Sequence, residues 1–133
     1  MKIVPENFQD LLSDEKKAFL YLATLMKDGS PQVTPIWFNT DGEYILINSA
    51  KGRIKDKNMR HRPNVALCIT DPSKPYRYLQ IRGKVVEITE EGACAHIDTL
   101  AGKYTGKPKY MNGKPGEVRV TYKIRPEKVD AHG

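Results

Sequence analysis

Positively charged side chains are concentrated in the segment Ser49–Arg62, "SAKGRIKDKNMRHR", which holds six lysine and arginine residues and one aspartate. A strand that ends at Ser49 and runs into a helix would expose unpaired backbone N–H groups at the positive end of the helix dipole. Arg53 and Lys55 fall in the first helical turn, and Asn58 lies one turn further. Cations at that position disfavour an isolated helix, so their presence suggests a compensating anion. Arginine binds phosphate through two parallel hydrogen bonds and lysine acts as a point charge, so the pattern favours a phosphate-bearing ligand.

Two other interpretations of this segment remain open. It is also typical of a solvated basic helix face on which Asp56 and Arg60 pair at i,i+4 spacing. Nucleic-acid binding is compatible with the net charge of +6 and the pI of about 9.3. That hypothesis is less favoured, because no aromatic residues interleave with the basic ones to stack on bases, and the rest of the chain is close to neutral.

Several chemistries have no support in the residue pattern. The three histidines, His61, His96 and His132, are not spaced with other ligands for a metal ion, so no metal site is expected. Cys68 and Cys94 are interpreted as ordinary thiols. No nucleophile triad or glycine-rich phosphate loop is present, and the catalytic residues are unknown. If the chain is an enzyme, a bound cofactor is expected to supply the chemistry.

Length and hydropathy predict a simple organisation. A chain of 133 residues fits one domain, 1–133. Its first residues are acidic and mixed rather than signal-like, and no apolar run approaches the ~18 residues of a membrane span. We therefore expect a cytoplasmic protein that does not associate with membranes.

The apolar pattern predicts a mainly β fold with helical insertions. Asp28-Gly29 and Asp41-Gly42 separate apolar runs and indicate hairpins in an antiparallel meander. Gly83 marks a change in the inward-facing parity of the longest run and predicts a bulge. In the last run, Val118, Val120, Tyr122 and Ile124 are expected to face inward. The six predicted strands are 18–26, 32–39, 43–49, 64–70, 76–89 and 117–124, and the helices are 5–12, 52–61 and 90–106.

Four stretches of the chain resemble motifs of one known superfamily. They are "GSPQVTPIWF" (29–38), "SAKGRIKDKNMRHRPNVAL" (49–67), "DPSKPYRYLQIRGKVVEI" (71–88) and "IDTLAGKYTG" (97–106). In this order they are similar to the pyridoxamine 5′-phosphate oxidase-like FMN-binding split-barrel superfamily, in particular its PPOX-class F-420-dependent branch of flavin and deazaflavin oxidoreductases. The resemblance implies a six-stranded antiparallel split β-barrel. It also implies a homodimer with the cofactor, FMN or coenzyme F-420, at the subunit interface.

The same resemblance implies roles for individual residues. Cofactor phosphate would be bound by Arg53, Lys55 and Asn58, with further contacts from Ser49 and Ala50. The cofactor ring would be lined by Pro35, Ile36 and Trp37. The partner subunit's long strand would add Tyr78 and Gln80. Tyr104 and Tyr78 are further candidates for the pocket.

The activity implied by the resemblance is hydride transfer between the bound cofactor and a small electron-poor substrate. Pyridoxamine 5′-phosphate oxidation is not expected, because Pro35 and Tyr78 depart from that enzyme's pattern and the C-terminal segment lacks its Arg-x-His element. A non-catalytic flavin or haem carrier of the same fold is the main alternative.

Overall fold

The computed structural model describes every residue from Met1 to Gly133. A short 3-10 helix, Glu6–Leu12, precedes the first strand. The strands are β1 (Phe19–Leu25), β2 (Pro31–Ile36), β3 (Phe38–Thr40), β4 (Ile45–Ala50), β5 (Asn64–Thr70), β6 (Tyr78–Thr89) and β7 (Arg119–His132). The two α-helices are α1 (Ile54–His61), between β4 and β5, and α2 (Ala93–Thr105), between β6 and β7. No helix is long and apolar enough to span a membrane.

All seven strands belong to one antiparallel sheet, in the order β2-β1-β5-β6-β7-β4-β3. β2 and β3 lie at opposite ends of this order, yet only Trp37 separates them in the chain. The sheet must therefore curl until its two edges approach each other at Trp37. The fold is mainly β, as predicted, and its curled sheet is consistent with a split barrel.

The predicted count of six strands is wrong, because the predicted strand 32–39 is two strands. Ile36 pairs with Leu20 of β1, whereas Phe38 pairs with Ile47 of β4. The two halves thus form hydrogen bonds with strands near opposite ends of the sheet order, and the chain must turn between them. The hairpins on either side are present, but they do not form a continuous meander.

The predicted bulge at Gly83 is confirmed by a register shift between Arg82 and Gly83 against β7. A Cβ atom at Gly83 would lie 2.6 Å from the carbonyl oxygen of Arg125, so the strands approach closely here. β7 continues to His132, beyond the predicted end at 124, and pairs with the whole of β6. Val118 lies outside β7 and is 41% exposed, contrary to its predicted inward orientation.

Helix α1 lies against the core and makes hydrogen bonds with two strands, β1 and β7, that are not neighbours in the sheet. Asp56 accepts a hydrogen bond from the Tyr122 hydroxyl of β7 at 2.6 Å. Asn58 donates to Thr24 Oγ1 of β1 at 3.0 Å. Met59 is buried. The helix is therefore fixed to β1 and β7, and its N-terminus faces the space beside β4.

Candidate functional site

A cavity of about 360 Å³ opens where the β2–β3 corner meets the junction of β4 with α1. One part of its lining, called the apolar wall, is apolar and aromatic, and another part, called the polar wall, is polar and cationic. The apolar wall contains Phe19, Leu20, Pro35, Ile36, Trp37 and Ile97. The polar wall contains Asn48, Ser49, Arg53, Lys55 and Arg119. Such a cavity suits a flat molecule that carries an anionic group at one end.

Three cations and one carboxylate define the electrostatics of the polar wall. Arg53 and Lys55 come from the start of α1, and Arg119 is the first residue of β7. Glu117 forms ion pairs with Arg53, at 3.6 Å, and with Arg119. Burial raises the pKa of Glu117, but bonds from Arg119 and the Lys114 backbone outweigh it and leave the pKa below its ordinary value. Glu117 is thus ionised and offsets one of three positive charges.

Lys55 carries the charge that is least compensated. Burial is the main cause that lowers its pKa, and the positive charges of Arg53 and Arg119 lower it further. The neighbours that act on its charge are therefore both cations. An anion in the cavity would reverse this effect, because it would favour the charged ammonium group.

Ser49 provides a second indication that the polar wall contacts a ligand. Ser49 is one of the residues that line the cavity, it is 1% exposed, and its buried hydroxyl has no hydrogen-bond partner in the chain. Buried hydroxyl groups are rarely left unpaired, because the loss of hydration costs about 1–3 kcal/mol. An acceptor oxygen on a bound molecule would satisfy this group.

Arg119 lines the cavity but was not among the residues predicted from the sequence. Its Nε donates to Asn48 Oδ1 at 2.9 Å, and its guanidinium lies over the Tyr110 ring at 5.1 Å. Arg119 enters the cavity because β7 pairs with β4, which places it opposite Ala50. That pairing is between distant segments, so no local pattern indicated it.

Trp37 is one of three aromatic residues that line the cavity, with Phe19 and Tyr110, and its ring packs against two tyrosines. It stacks on Tyr104, with ring centroids 5.3 Å apart and planes 10° from parallel. Tyr110 meets it edge-on at 6.0 Å. The Tyr104 hydroxyl donates to the Ala18 carbonyl at 2.7 Å, and burial raises the Tyr104 pKa above its ordinary value. Tyr104, a candidate for the pocket, therefore supports the wall without lining the cavity.

The structure brings together six of the ten residues that the resemblance assigned to the cofactor. These are Pro35, Ile36, Trp37, Ser49, Arg53 and Lys55. Ala50 and Asn58 do not line the cavity, and the Asn58 amide is instead bonded to Thr24 and Met26. Tyr78 and Gln80 lie on β6, outside the cavity of their own chain. Their assignment to a partner subunit stays a prediction.

The chain matches the protein family described as pyridoxamine 5′-phosphate oxidase over residues 4–133. Among solved structures, an F420 reductase is 34% identical, with 96% of this chain and 98% of that chain covered and a TM-score of 0.82. A putative pyridoxamine 5′-phosphate oxidase from Listeria innocua is 20% identical, with 95% of each chain covered and a TM-score of 0.70. No curated protein matches the chain.

A third similar structure is HutZ, a heme storage protein from Vibrio cholerae. It is 15% identical, with 96% of this chain and 93% of that chain covered and a TM-score of 0.68. At this identity the likeness concerns the fold alone. The extent of the family match and the 34% identity establish the class: the chain belongs to the pyridoxamine 5′-phosphate oxidase-like family.

Proposed function

We propose that the protein is an oxidoreductase that binds a phosphorylated flavin or deazaflavin, FMN or coenzyme F-420. The observation that carries this proposal is the pairing, in one cavity, of an aromatic wall with a cationic wall whose charge the chain does not balance. The similarity to an F420 reductase at 34% identity supports the same class of cofactor.

The residues of the cavity fit such a cofactor. Arg53, Lys55 and Arg119 would hold its phosphate, and the unpaired Ser49 hydroxyl would donate to a phosphate oxygen. Trp37 would lie against the ring system. The cofactor would supply hydride transfer to a small electron-poor substrate, while the protein holds its ring and leaves one face open.

The proposed assembly is a homodimer, and the outer face of the sheet supports it. Phe19, Tyr21 and Val33 are apolar and are 49%, 40% and 62% exposed on β1 and β2. In an antiparallel sheet with one face in water, the outward positions are normally polar. A second copy of the chain would bury these side chains.

The strand register also supports a contribution of β6 to this assembly. Gln80 pairs with Cys68 of β5, Cys68 pairs with Tyr21 of β1, and Tyr21 pairs with Pro35 of β2. These four residues form one row across the sheet, which connects Gln80 with a residue that lines the cavity. A partner subunit that covers this face would therefore bring Tyr78 and Gln80 close to a cofactor site.

A non-catalytic carrier is the second candidate, since a similar structure is a heme storage protein. The cavity lining contains no histidine, cysteine or methionine, and Tyr110 is its one residue of a type that binds haem iron, whereas its three cations suit the phosphate of a flavin. A flavin carrier and an oxidoreductase would share the same binding site. They differ only in whether a substrate is converted.

The first test is a pair of binding titrations, with FMN and with coenzyme F-420, on cofactor-free protein. Trp37 is the only tryptophan and lines the cavity, so quenching of its fluorescence reports occupancy. We expect Lys55→Met to weaken binding roughly tenfold to a hundredfold, the value of a lost charge-assisted hydrogen bond.

Lys57→Met is the matched control, because Lys57 is exposed on the same helix and does not line the cavity. It should bind as the wild type does. Wild-type affinity in Lys55→Met would contradict the phosphate assignment, and failure of both cofactors to bind would contradict the proposed function. Binding and reduction without turnover of nitroaromatic, quinone or enone substrates would favour the carrier.

A further inference from the structure

A series of hydrogen bonds, half-buried at one end and buried at the other, runs from helix α2 to the cationic wall of the cavity. Its members are Asn39 of β3, His96 of α2, Asn48 of β4 and Arg119 of β7. His96 does not line the cavity, whereas Asn48 and Arg119 do. These hydrogen bonds therefore connect a histidine outside the site to a cation inside it.

The orientation of the Asn48 amide is fixed from both ends. Its Nδ2 lies 2.9 Å from the Ala93 carbonyl oxygen, which can only accept a hydrogen bond. Its Oδ1 lies 2.9 Å from Arg119 Nε, which can only donate. Reversal of the amide would place two acceptors together at one end and two donors at the other.

His96 supports this orientation through the tautomer that its partners require. Nδ1 lies 3.2 Å from Asn48 Nδ2 and must accept, and Thr121 Oγ1 lies 3.2 Å from the same nitrogen. Nε2 lies 2.9 Å from Asn39 Oδ1 and must carry the proton. A neutral imidazole protonated at Nε2 satisfies all of these contacts.

These contacts also affect the orientation of the Arg119 guanidinium. Asn48 accepts a hydrogen bond from its Nε–H and Glu117 accepts one from a terminal N–H. The guanidinium lies over the Tyr110 ring. Two of the five N–H donors of the guanidinium are thus engaged, which leaves three available to a ligand. We propose that His96 is a positioning residue that, through Asn48, orients Arg119 toward the anionic group of the bound molecule.

Two substitutions at position 96 separate positioning from packing. The amide of an asparagine side chain occupies roughly the place of histidine Nδ1, and that of a glutamine the place of Nε2. His96→Asn therefore keeps an acceptor for Asn48 and loses the contact to Asn39. His96→Gln keeps the contact to Asn39 and loses the acceptor for Asn48.

The first arm of the experiment needs no ligand. In ¹H–¹⁵N spectra, the Arg119 Nε–H should exchange slowly with solvent, and its signal is assigned by its loss in Arg119→Lys. We expect slow exchange to persist in His96→Asn and to become at least tenfold faster in His96→Gln. Equal exchange rates in the wild type and both variants would overturn the proposal.

The second arm rests on the proposed function and measures FMN and coenzyme F-420 binding by Trp37 fluorescence. For whichever cofactor binds the wild type, His96→Gln should lower the affinity by about fivefold to tenfold, as expected when a charge-assisted contact is misaligned. His96→Asn should leave that affinity unchanged. In an Arg119→Met background the two variants should bind alike. Equal losses in both variants, or a further loss in that background, would overturn the proposal. If neither cofactor binds the wild type, the proposed function fails, and the exchange measurement still decides the role of His96.

Discussion

Four of the six basic residues of 49–62 fall into two groups when their individual contacts are considered. Arg60 Nε donates to Asp56 at 3.0 Å, and Arg62 Nε donates to the Leu25 carbonyl at 2.7 Å, so both fasten α1 to its surroundings. Arg53 and Lys55 instead line the cavity. The Asp56–Arg60 pair that the solvated-face interpretation expected is present, and the residues proposed to bind an anion, Arg53 and Lys55, are different ones.

His96 also makes the stability of the protein depend on pH. Burial, followed by the charge of Arg119, lowers its pKa from 6.5 to about 4. Arg119 is the charged group that acts on it, since Asn39, Asn48 and Thr121 are neutral. The native state thus resists protonation, while the unfolded chain takes up a proton as the pH falls below 6.5.

We therefore expect the free energy of unfolding to fall as the pH drops from 6.5 to 4. Below pH 4 both states bind the proton, so His96 causes no further change. The loss should be on the order of 2 kcal/mol by pH 4.5, since one pKa unit corresponds to ~1.4 kcal/mol. Urea unfolding at pH 7 and pH 4.5 measures it. His96→Asn removes this titration and should lose correspondingly less. An identical pH dependence in the two proteins would contradict a half-buried histidine that stays neutral.

At the scale of elements, the C-terminal turn of α2 holds the corner that carries the aromatic wall. Lys103 Nζ donates to the Phe38 carbonyl at 2.7 Å, next to Trp37. Tyr104 donates to the Ala18 carbonyl, next to Phe19, and stacks on Trp37. One helix end therefore fixes both chain segments that form the apolar side of the cavity.

The close approach of β6 and β7 leaves no space for a side chain at Gly83. In Gly83→Ala the new methyl group would meet a backbone oxygen at 2.6 Å, and one strand must move. We expect a loss of about 1–3 kcal/mol in the free energy of unfolding, typical of overpacking.

Gly102→Ala provides the matched control in the same chain. Its nearest neighbour would be the Lys107 carbonyl oxygen at 3.7 Å, an ordinary contact, and the residue lies inside α2. Alanine favours a helix over glycine, so this variant should gain about 0.5–1 kcal/mol. Denaturant unfolding of both variants tests the pair, and a neutral Gly83→Ala would show that β6 and β7 are not closely packed there.

At the scale of the whole molecule, the exposed apolar side chains of β1 and β2 are the feature that a single chain leaves unexplained. Tyr21 lies near the centre of this face, in the row that joins Pro35 to Gln80. A carboxylate buried there without a partner would oppose association. The proposed dimer therefore depends on the apolar character of position 21.

We expect Tyr21→Glu to convert a dimer into a monomer in size-exclusion chromatography with light scattering, with an unchanged circular dichroism spectrum. Ile3→Glu is the control, because Ile3 is similarly exposed, at 42%, but lies in the N-terminal segment outside the sheet. A wild-type protein that is monomeric at all concentrations would contradict the assembly. The monomeric variant should also bind the cofactor more weakly if Tyr78 and Gln80 act across the interface.

Features that depend on neighbours in the chain were predictable from the sequence. Apolar runs bounded by turn residues located β1, β5 and the long β6, and the change of parity at Gly83 located the bulge. The basic turn at the start of α1 identified Arg53 and Lys55. Each of these signals arises within a few residues, where backbone geometry alone decides which side chains share a face.

Which distant segments meet depends on tertiary contacts, and the local sequence did not predict it. The break at Trp37 exists because the two flanking strands pair with opposite sides of the sheet, and Arg119 enters the cavity because β7 pairs with β4. Asn58 is buried against β1 because α1 packs in one particular orientation. These outcomes depend on contacts between residues far apart in the chain, which a local pattern of residue types does not encode.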